Sequence, residues 1–113
     1  MTVDEIYLNI GQGISAAIED ENWNNAVLNL ELVGTGVVGY NGSYSVNNEQ
    51  HSLPVRQIPR EIKNWVRELH KITTEGDHNK WNKATYTLSS DGQFDIEFIW
   101  DQELNDEIER LNK

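Results

Sequence analysis

The chain has 113 residues and carries 19 Asp and Glu against 9 Lys and Arg, so its formal net charge is −10. With 37% hydrophobic and 25% charged residues, it has the composition of a folded globular protein rather than of a disordered acidic tail. Its negative charge argues against nucleic acids and anionic membranes as partners, because both carry phosphate groups that repel it. The absence of cysteine excludes disulfides, cysteine-ligated zinc and thiol catalysis.

The length predicts a single domain over residues 1–113. The opening residues MTVDEIYLNI lack the basic and the long apolar segments of a signal peptide. No apolar run approaches the roughly 20 residues that a membrane-spanning helix needs. Together with the lack of cysteine, which fits a reducing compartment, these features predict a cytoplasmic protein.

The N-terminal segment predicts an amphipathic helix over residues 3–20. Its apolar side chains recur at spacings of three and four residues, which places them on one helix face. Thr2 followed by Glu5 is typical of a capping box at the start of a helix. Gly11 and Gly13 weaken the helix by roughly 1 kcal/mol each. We therefore expect close packing or a bend at these two glycines.

The next segments predict a β-hairpin. Residues 25–33 alternate apolar and polar side chains, as a half-buried strand does. A Gly-Thr-Gly turn at 34–36 leads to a second strand over about 37–46. Residues 47–57 are polar and include Pro54, so they predict a loop that could hold a short extended piece.

The middle of the chain predicts a second helix. Pro59 suits its first position, and its apolar stripe runs from Ile58 to Ile72. Gly76 is the predicted C-cap, because glycine readily adopts the left-handed conformation that ends many helices.

The last third predicts a second hairpin and a short final helix. The strands cover residues 81–89 and 93–100, and the turn between them is Ser90-Asp91-Gly92. The apolar side chains of both strands are predicted to face the core together. Asp101 caps the final helix, whose acidic first turn suits the helix dipole.

These elements follow one another in the order α-β-β-α-β-β-α. Adjacent strands joined by short turns predict a four-stranded antiparallel sheet with the helices on one face, which is a two-layer α+β fold. The other face of the sheet is predicted to be polar and uncovered.

One glycine motif imitates a nucleotide-binding fingerprint. Residues 34–39, Gly-Thr-Gly-Val-Val-Gly, spell G-x-G-x-x-G. That fingerprint needs a helix directly after it, so that the helix N-terminus can bind the pyrophosphate, whereas this sequence continues as a strand. We interpret the motif as a glycine-rich hairpin turn and expect no cofactor.

Candidate catalytic and metal-binding groups are sparse. Glu75, Asp77 and His78 lie close together after the second helix, but they do not form a recognisable set of metal ligands. Asp95 and Glu97 are predicted on the solvated side of the last strand, without the enclosing pocket that a catalytic acid needs. We therefore predict no enzyme, no catalytic residue, no metal and no small-molecule substrate. A small hydrolase that uses Asp95, Glu97 or Glu75 with His78 is a weaker alternative.

Charge is segregated along the chain. Residues 56–71 hold five bases against two acids, a local balance of +3, so the remaining residues sum to −13. Four of these bases share one stripe of the second helix: Arg60, Lys63, Arg67 and Lys71.

The acids concentrate near both ends of the sequence, and several belong to the uncovered sheet face or its margin. We predict four of them as contacts with a basic protein partner: Glu31, Asp95, Glu97 and Asp101. On this orientation the basic stripe of the second helix faces away from the partner.

Three segments carry a family resemblance: the amphipathic helix that ends near Trp23, IPREIKNWVREL at residues 58–69, and YTLSSDGQFDIEFIWD at residues 86–101. Together they resemble the YezG-type family of bacterial immunity proteins, and the resemblance covers about residues 3–105. Its most specific part is the Asp-Gly-x-Phe hairpin with its aromatic-Asp ending. Members of that family are small acidic antitoxins encoded beside polymorphic or contact-dependent growth inhibition toxins.

The resemblance implies a function that fits the charge pattern. It implies an antitoxin that neutralises the C-terminal domain of a cognate toxin, a basic nuclease, by tight stoichiometric binding. An acidic partner would be steered toward such a toxin by its field. The runner-up, from a different functional class, is an acidic adaptor domain that binds a protein other than a toxin.

Overall fold

The computed structural model describes residues 1–33, 37–75 and 80–111, which form an α+β fold with three helices and an antiparallel sheet. The helices are α1 (Val3–Ala17), α2 (Ile62–Thr73) and α3 (Gln102–Leu111). The strands are β1 (Asn25–Val33), β2 (Val37–Val46), β3 (Glu49–Ser52), β4 (Lys83–Ser89) and β5 (Phe94–Ile99). They lie side by side in the order β3-β2-β1-β4-β5, so β1 is the central strand.

Within the described ranges, every helix falls short of the length and apolar character that a bilayer-spanning helix requires.

The prediction of four strands is wrong, because β3 adds a fifth inside the predicted loop. Asn47 and Asn48 have φ values of 51° and 70° and form the tight turn that leads from β2 into β3. Asparagine tolerates this left-handed conformation better than most residues do. The backbone N–H of Asn47 also donates to Oδ1 of Asn24, 3.0 Å away. The element order is therefore α-β-β-β-α-β-β-α.

Helix α1 begins as predicted and ends earlier. Both hydrogen bonds of the capping box between Thr2 and Glu5 are present. The helix stops at Ala17 rather than residue 20, and Ile18 already has extended backbone angles. Ile6, Ile10 and Ile14 are fully buried against the sheet.

Gly11 allows α1 to lie close to β4. A Cβ atom at Gly11 would lie 2.8 Å from the hydroxyl oxygen of Tyr86. That hydroxyl donates a 2.8 Å hydrogen bond to the backbone carbonyl of Tyr7. The expected close packing at this glycine is confirmed, and the polar end of a buried tyrosine is satisfied by the helix backbone.

Helix α2 starts three residues later than predicted. Pro59 lies in a turn before the helix, and its carbonyl accepts a 3.1 Å hydrogen bond from the N–H of Ile62. Ile62, Val66 and Leu69 are fully buried, so the helix packs on the same sheet face as α1. The predicted C-cap Gly76 lies outside the described residues.

Trp81 ties α2 to the start of β4. Its indole N–H donates to Oγ1 of Thr73 at 2.8 Å, and its backbone carbonyl lies 3.0 Å from Nε2 of His70. The side chain is 1% exposed. This aromatic near a sheet margin is therefore part of the core.

The second predicted hairpin is confirmed. β4 and β5 pair in antiparallel register, with Tyr86 opposite Ile96 and Leu88 opposite Phe94. Gly92 in the connecting turn has a φ of +92°, which favours glycine. The carboxylate of Asp91 accepts hydrogen bonds from the Ser89 hydroxyl and the backbone N–H of Gln93, which closes the turn.

Two glycines of β2 provide a matched test of the close packing between β1 and β2. A Cβ at Gly42 would overlap the backbone carbonyl of Val27, whereas a Cβ at Gly39 would meet no atom within 4 Å. We expect Gly42→Ala to lower the free energy of unfolding by about 1–3 kcal/mol, because backbone cannot move aside as a side chain can. Gly39→Ala should change it by less than about 0.5 kcal/mol. Urea denaturation measures both, and equal effects would contradict the close approach at Gly42.

The buried hydroxyl of Tyr86 predicts a loss of stability in alkali. Burial raises the pKa of Tyr86 from 10.0 to about 12. The unfolded chain therefore releases this proton first, so the contribution of Tyr86 is complete below pH 10 and is lost as the pH rises through 12. Tyr86→Phe should cost about 1 kcal/mol at neutral pH, because the hydrogen bond to Tyr7 disappears.

Thermal or urea unfolding of both proteins between pH 8 and 12 checks this prediction. The wild type should lose its advantage over Tyr86→Phe across the upper part of that range. A constant difference between the two proteins at every pH would show that the hydroxyl is not selectively protonated in the folded state.

Candidate functional site

The sheet face turned away from α1 and α2 is the candidate site, and we call it the open face. It is formed by the alternate residues of the strands that do not enter the core. Across β2, β1, β4 and β5 these side chains are Val27, Asn29, Glu31, Asn41, Ser43, Lys83, Thr85, Thr87, Asp95 and Glu97.

The centre of the open face is a row of polar side chains across three strands. Nδ2 of Asn29 donates to Oδ1 of Asn41 at 3.2 Å, and the hydroxyl of Thr85 donates to Oδ1 of Asn29 at 3.4 Å. Glu97 continues the row on β5, directly opposite Thr85. These residues are in register, so the polar row runs without interruption from β2 to β5.

A shallow depression of about 480 Å³ lies beside this row. Gly39, Glu31 and Lys83 are among the residues that line it. The absence of a side chain at Gly39 opens the depression. Its lining offers amide, hydroxyl, carboxylate and ammonium groups, which suits a protruding polar or basic side chain of a partner.

The predicted contact residue Asp101 has a structural role in the chain. Its Oδ1 accepts a 3.0 Å hydrogen bond from the N–H of Leu104, which confirms it as the N-cap of α3. Its Oδ2 forms a 2.8 Å ion pair with Nζ of Lys83. The Lys83 ammonium, with the Leu104 N–H, lowers the pKa of Asp101, and the hydrogen bond to Asp101 raises the pKa of Lys83.

Lys83 is the residue that sequence reasoning missed on this face. It sits in one row with Glu31 on β1 and Ile99 on β5. The alternation that assigns Thr85 and Thr87 to the open face already assigns Lys83 to it. The four predicted acidic contacts fall into two groups according to whether they lie near Lys83. Glu31 and Asp101 lie beside Lys83, while Asp95 and Glu97 lie on the outer strand.

Asp95 and Glu97 are exposed on β5, opposite Thr87 and Thr85. From strand geometry, Glu97 lies roughly 12 Å from Glu31, two strands across and one row along. All four predicted contact residues therefore belong to the open face or its margin. Asp95 and Glu97, on the edge strand, are available to a partner, whereas Asp101 already binds Lys83 and the N–H of Leu104.

The basic stripe lies on the other side of the molecule. Lys63, Arg67 and Lys71 are exposed on α2, whose opposite side is buried against the sheet. Arg67 also donates to Oδ1 of Asn64 at 2.9 Å. These bases of α2 thus lie on the helix side of the sheet, away from the carboxylates of the open face.

A second feature appears at the margin of the sheet, where apolar residues predicted for the core are partly exposed. Phe94 is 43% exposed, Phe98 37% and Trp100 40%. We call the strip formed by Phe94, Ile96, Phe98 and Trp100 the aromatic edge. The alternation of β5 correctly assigned these side chains to the helix-covered face, but α1 and α2 cover them only in part.

The other candidate chemistry has little support from the described residues. Val37–Val46 is a strand, so the glycine motif is followed by no helix, and its first residues, 34–36, lie outside the described part. Asp77 and His78 also lie outside it. Among the residues that the structure describes, no group of three His, Asp or Glu side chains could hold a metal ion. Glu75, Asp95 and Glu97, the carboxylates of the hydrolase alternative, are all exposed.

Comparison of the sequence with models of known protein families gives no match, and a search of curated proteins gives none either. The resemblance to the YezG-type family stays a prediction.

The double role of Asp101 predicts different outcomes for two substitutions. Asp101→Asn keeps an oxygen for the N–H of Leu104 but removes the ion pair, whereas Asp101→Ala removes both. We expect amide exchange in α3 to accelerate more in Asp101→Ala than in Asp101→Asn. Glu109→Gln, an exposed change in the same helix, should leave it unaltered.

Acid titration tests the contribution of the Asp101 charge to α3. Because the pKa of Asp101 is lowered in the folded state, its contribution is present above its ordinary pKa and is lost as the pH falls through the folded value. Asp101→Asn should abolish that part of the acid dependence of α3 stability. Identical acid profiles of wild type and Asp101→Asn would show that the charge of Asp101 does not contribute to the stability of α3.

Proposed function

We propose that this chain is an immunity protein, an antitoxin that neutralises a cognate bacterial toxin by stoichiometric binding in the cytoplasm. The observation that supports it is the open face, a polar sheet surface with exposed carboxylates and no cover from α1 or α2. A nuclease toxin must carry basic residues to bind phosphate, so an acidic surface is complementary to it. The family resemblance points to the same kind of partner.

The dimensions of the sheet suit this function. Five strands about 4.8 Å apart and about seven residues long present a planar area of roughly 600 Å². A specific complex buries about 800 Å² on each partner. The open face supplies most of that area, and the remainder can come from the adjoining aromatic edge. Nanomolar binding, about −12 kcal/mol, needs a few desolvated anchors in addition to the complementary charge.

The direct test uses the toxin domain encoded beside this gene. The chain should bind that domain in a one-to-one complex and should rescue cells that express it. Absence of both binding and rescue would overturn the proposal. Binding without rescue would instead indicate the adaptor alternative.

Charge-neutral variants show whether the open face makes the contact. The triple variant Glu31→Gln, Asp95→Asn and Glu97→Gln should lower the association rate about tenfold at low salt, because electrostatic steering is reduced. The difference should shrink at high salt, where charges beyond a few ångströms are screened.

A matched control neutralises three exposed acids elsewhere, with Asp20→Asn, Glu21→Gln and Glu61→Gln. It changes the net charge from −10 to −7, as the open-face variant does. The control should keep a faster association rate than the open-face variant. Equal rates would show that total charge, and not the open face, drives association.

A further inference from the structure

The outer margin of β5 differs from the usual edge of a sheet. In the strand order of the described chain, β3 and β5 form the two edges. β3 has four residues and all are polar, which is a common way to keep an edge from pairing. β5 has six residues, five of them exposed, and alternates large apolar side chains with carboxylates.

The register of β5 shows which backbone groups point outward. The N–H of Ser89 donates to the carbonyl of Gln93 at 2.8 Å, so these opposite residues form a hydrogen-bonded pair. Such pairs alternate along an antiparallel ladder. Asp95 and Glu97 therefore bond to β4, and the backbone N–H and carbonyl groups of Ile96 and its two apolar neighbours point away from the sheet. No described strand pairs with that side.

The side chains beside these outward groups are held in place. Phe94 stacks on Tyr86 with ring centroids 5.5 Å apart, and Phe98 packs on Trp81 at 4.8 Å. Their inner faces are thus fixed by the core while their outer faces are exposed. Rigid aromatic groups lose little conformational entropy when a partner covers them.

A groove lies at each end of the aromatic edge. One of about 220 Å³ lies beside Phe94, between α1 and the β4–β5 turn, and includes Leu8 and Trp23. The other, of about 240 Å³, lies beside Trp100 and is lined by His70 and Trp81 among others. The two are roughly 20 Å apart, the span of six residues in a strand. A single extended segment could therefore place a bulky side chain in each groove.

Charge favours a basic segment over a second copy of the chain as the partner of this edge. If a second copy of the chain paired antiparallel about Ile96, Asp95 of each copy would lie opposite Glu97 of the other. Like charges directly opposite one another destabilise a strand pair. Lysine and arginine at the same positions would instead pair favourably with both carboxylates.

We propose that β5 accepts an extended segment of a partner protein as a sixth strand. The segment has alternating side chains, apolar ones against the aromatic edge and basic ones beside Asp95 and Glu97. This inference deepens the proposed function and rests on it, since the segment would belong to the basic toxin. Main-chain hydrogen bonds provide the affinity in such a pairing, and the alternating side chains provide the specificity.

The test uses the full chain and two synthetic ten-residue peptides, so it does not require the toxin. One peptide alternates valine with lysine, and its control alternates valine with glutamate. The readout is amide hydrogen exchange by NMR. The lysine peptide should slow exchange at Phe94, Ile96 and Phe98 by at least tenfold. Exchange at Asp95 and Glu97 should be slow before and after addition, because their N–H groups already bond to β4.

A charge variant separates the contribution of the two carboxylates from that of the backbone edge of β5. Asp95→Asn with Glu97→Gln should weaken binding of the lysine peptide roughly two- to tenfold. It should keep the same alternating protection, because the backbone edge is unchanged.

Three results would overturn the inference. These are equal protection by both peptides, no change at the three outward amides, or slow exchange of those amides in the free protein together with a dimeric mass. The toxin-binding experiment remains independent. A toxin complex in which these amides still exchange rapidly would refute the added strand while leaving the proposed function intact.

Discussion

Two helices have to cover a sheet of five strands, and they are too few to do so. Packed helices lie about 10 Å apart and neighbouring strands about 4.8 Å apart, so a pair of helices covers the width of roughly four strands. Helices α1 and α2 lie over the central strands, where Leu28, Leu30, Ala84 and Tyr86 are at most 1% exposed. The shortfall falls on the two edge strands, of which only β5 carries apolar side chains. Its apolar side chains are directed toward the helix layer but remain half open to solvent.

Close contact between the layers depends on small residues at a few positions. Gly11 admits the Tyr86 hydroxyl to the backbone of α1, and Gly13 lies where a Cβ would come within 3.3 Å of Pro59. Gly42 permits an equally close approach between β2 and β1. Among the described residues, every buried side-chain polar atom has a hydrogen-bond partner.

Most of the fold could be predicted from the sequence, because the hydrophobic pattern is strong where an element has one buried face. β1, β2 and the β4–β5 hairpin were predicted correctly on this basis, as was the cap at Asp101. β3 could not be found in this way, since Glu49–Ser52 contains no apolar residue and both its faces are exposed. The available signal was the Asn47-Asn48 pair, which suits a two-residue hairpin turn. Pro59 misled the prediction of where α2 begins, because a proline also fits the turn that precedes a helix.

The candidate site was predictable in outline and not in detail. Alternation along the strands correctly assigned Glu31, Asp95 and Glu97 to one face. The ion pair between Asp101 and Lys83 depends on how the chain enters α3 after the sheet, which no periodic pattern encodes. The exposure of Phe94 and Phe98 depends on how many helices lie above them. That is a property of the assembled layers and not of the β5 sequence.

The separation of charge across the two layers also has a consequence for motion in solution. Carboxylates on the open face and ammonium and guanidinium groups on α2 lie on opposite sides of the sheet, so these two sets of charges contribute an electric dipole component along the sheet normal. The electric field of a basic partner exerts a torque on this dipole component. The torque turns the carboxylate side toward the partner before the two molecules touch. A larger fraction of encounters then occurs with the carboxylate side facing the partner. The net charge of −10 sets how strongly the protein is attracted, and its distribution sets which side arrives first.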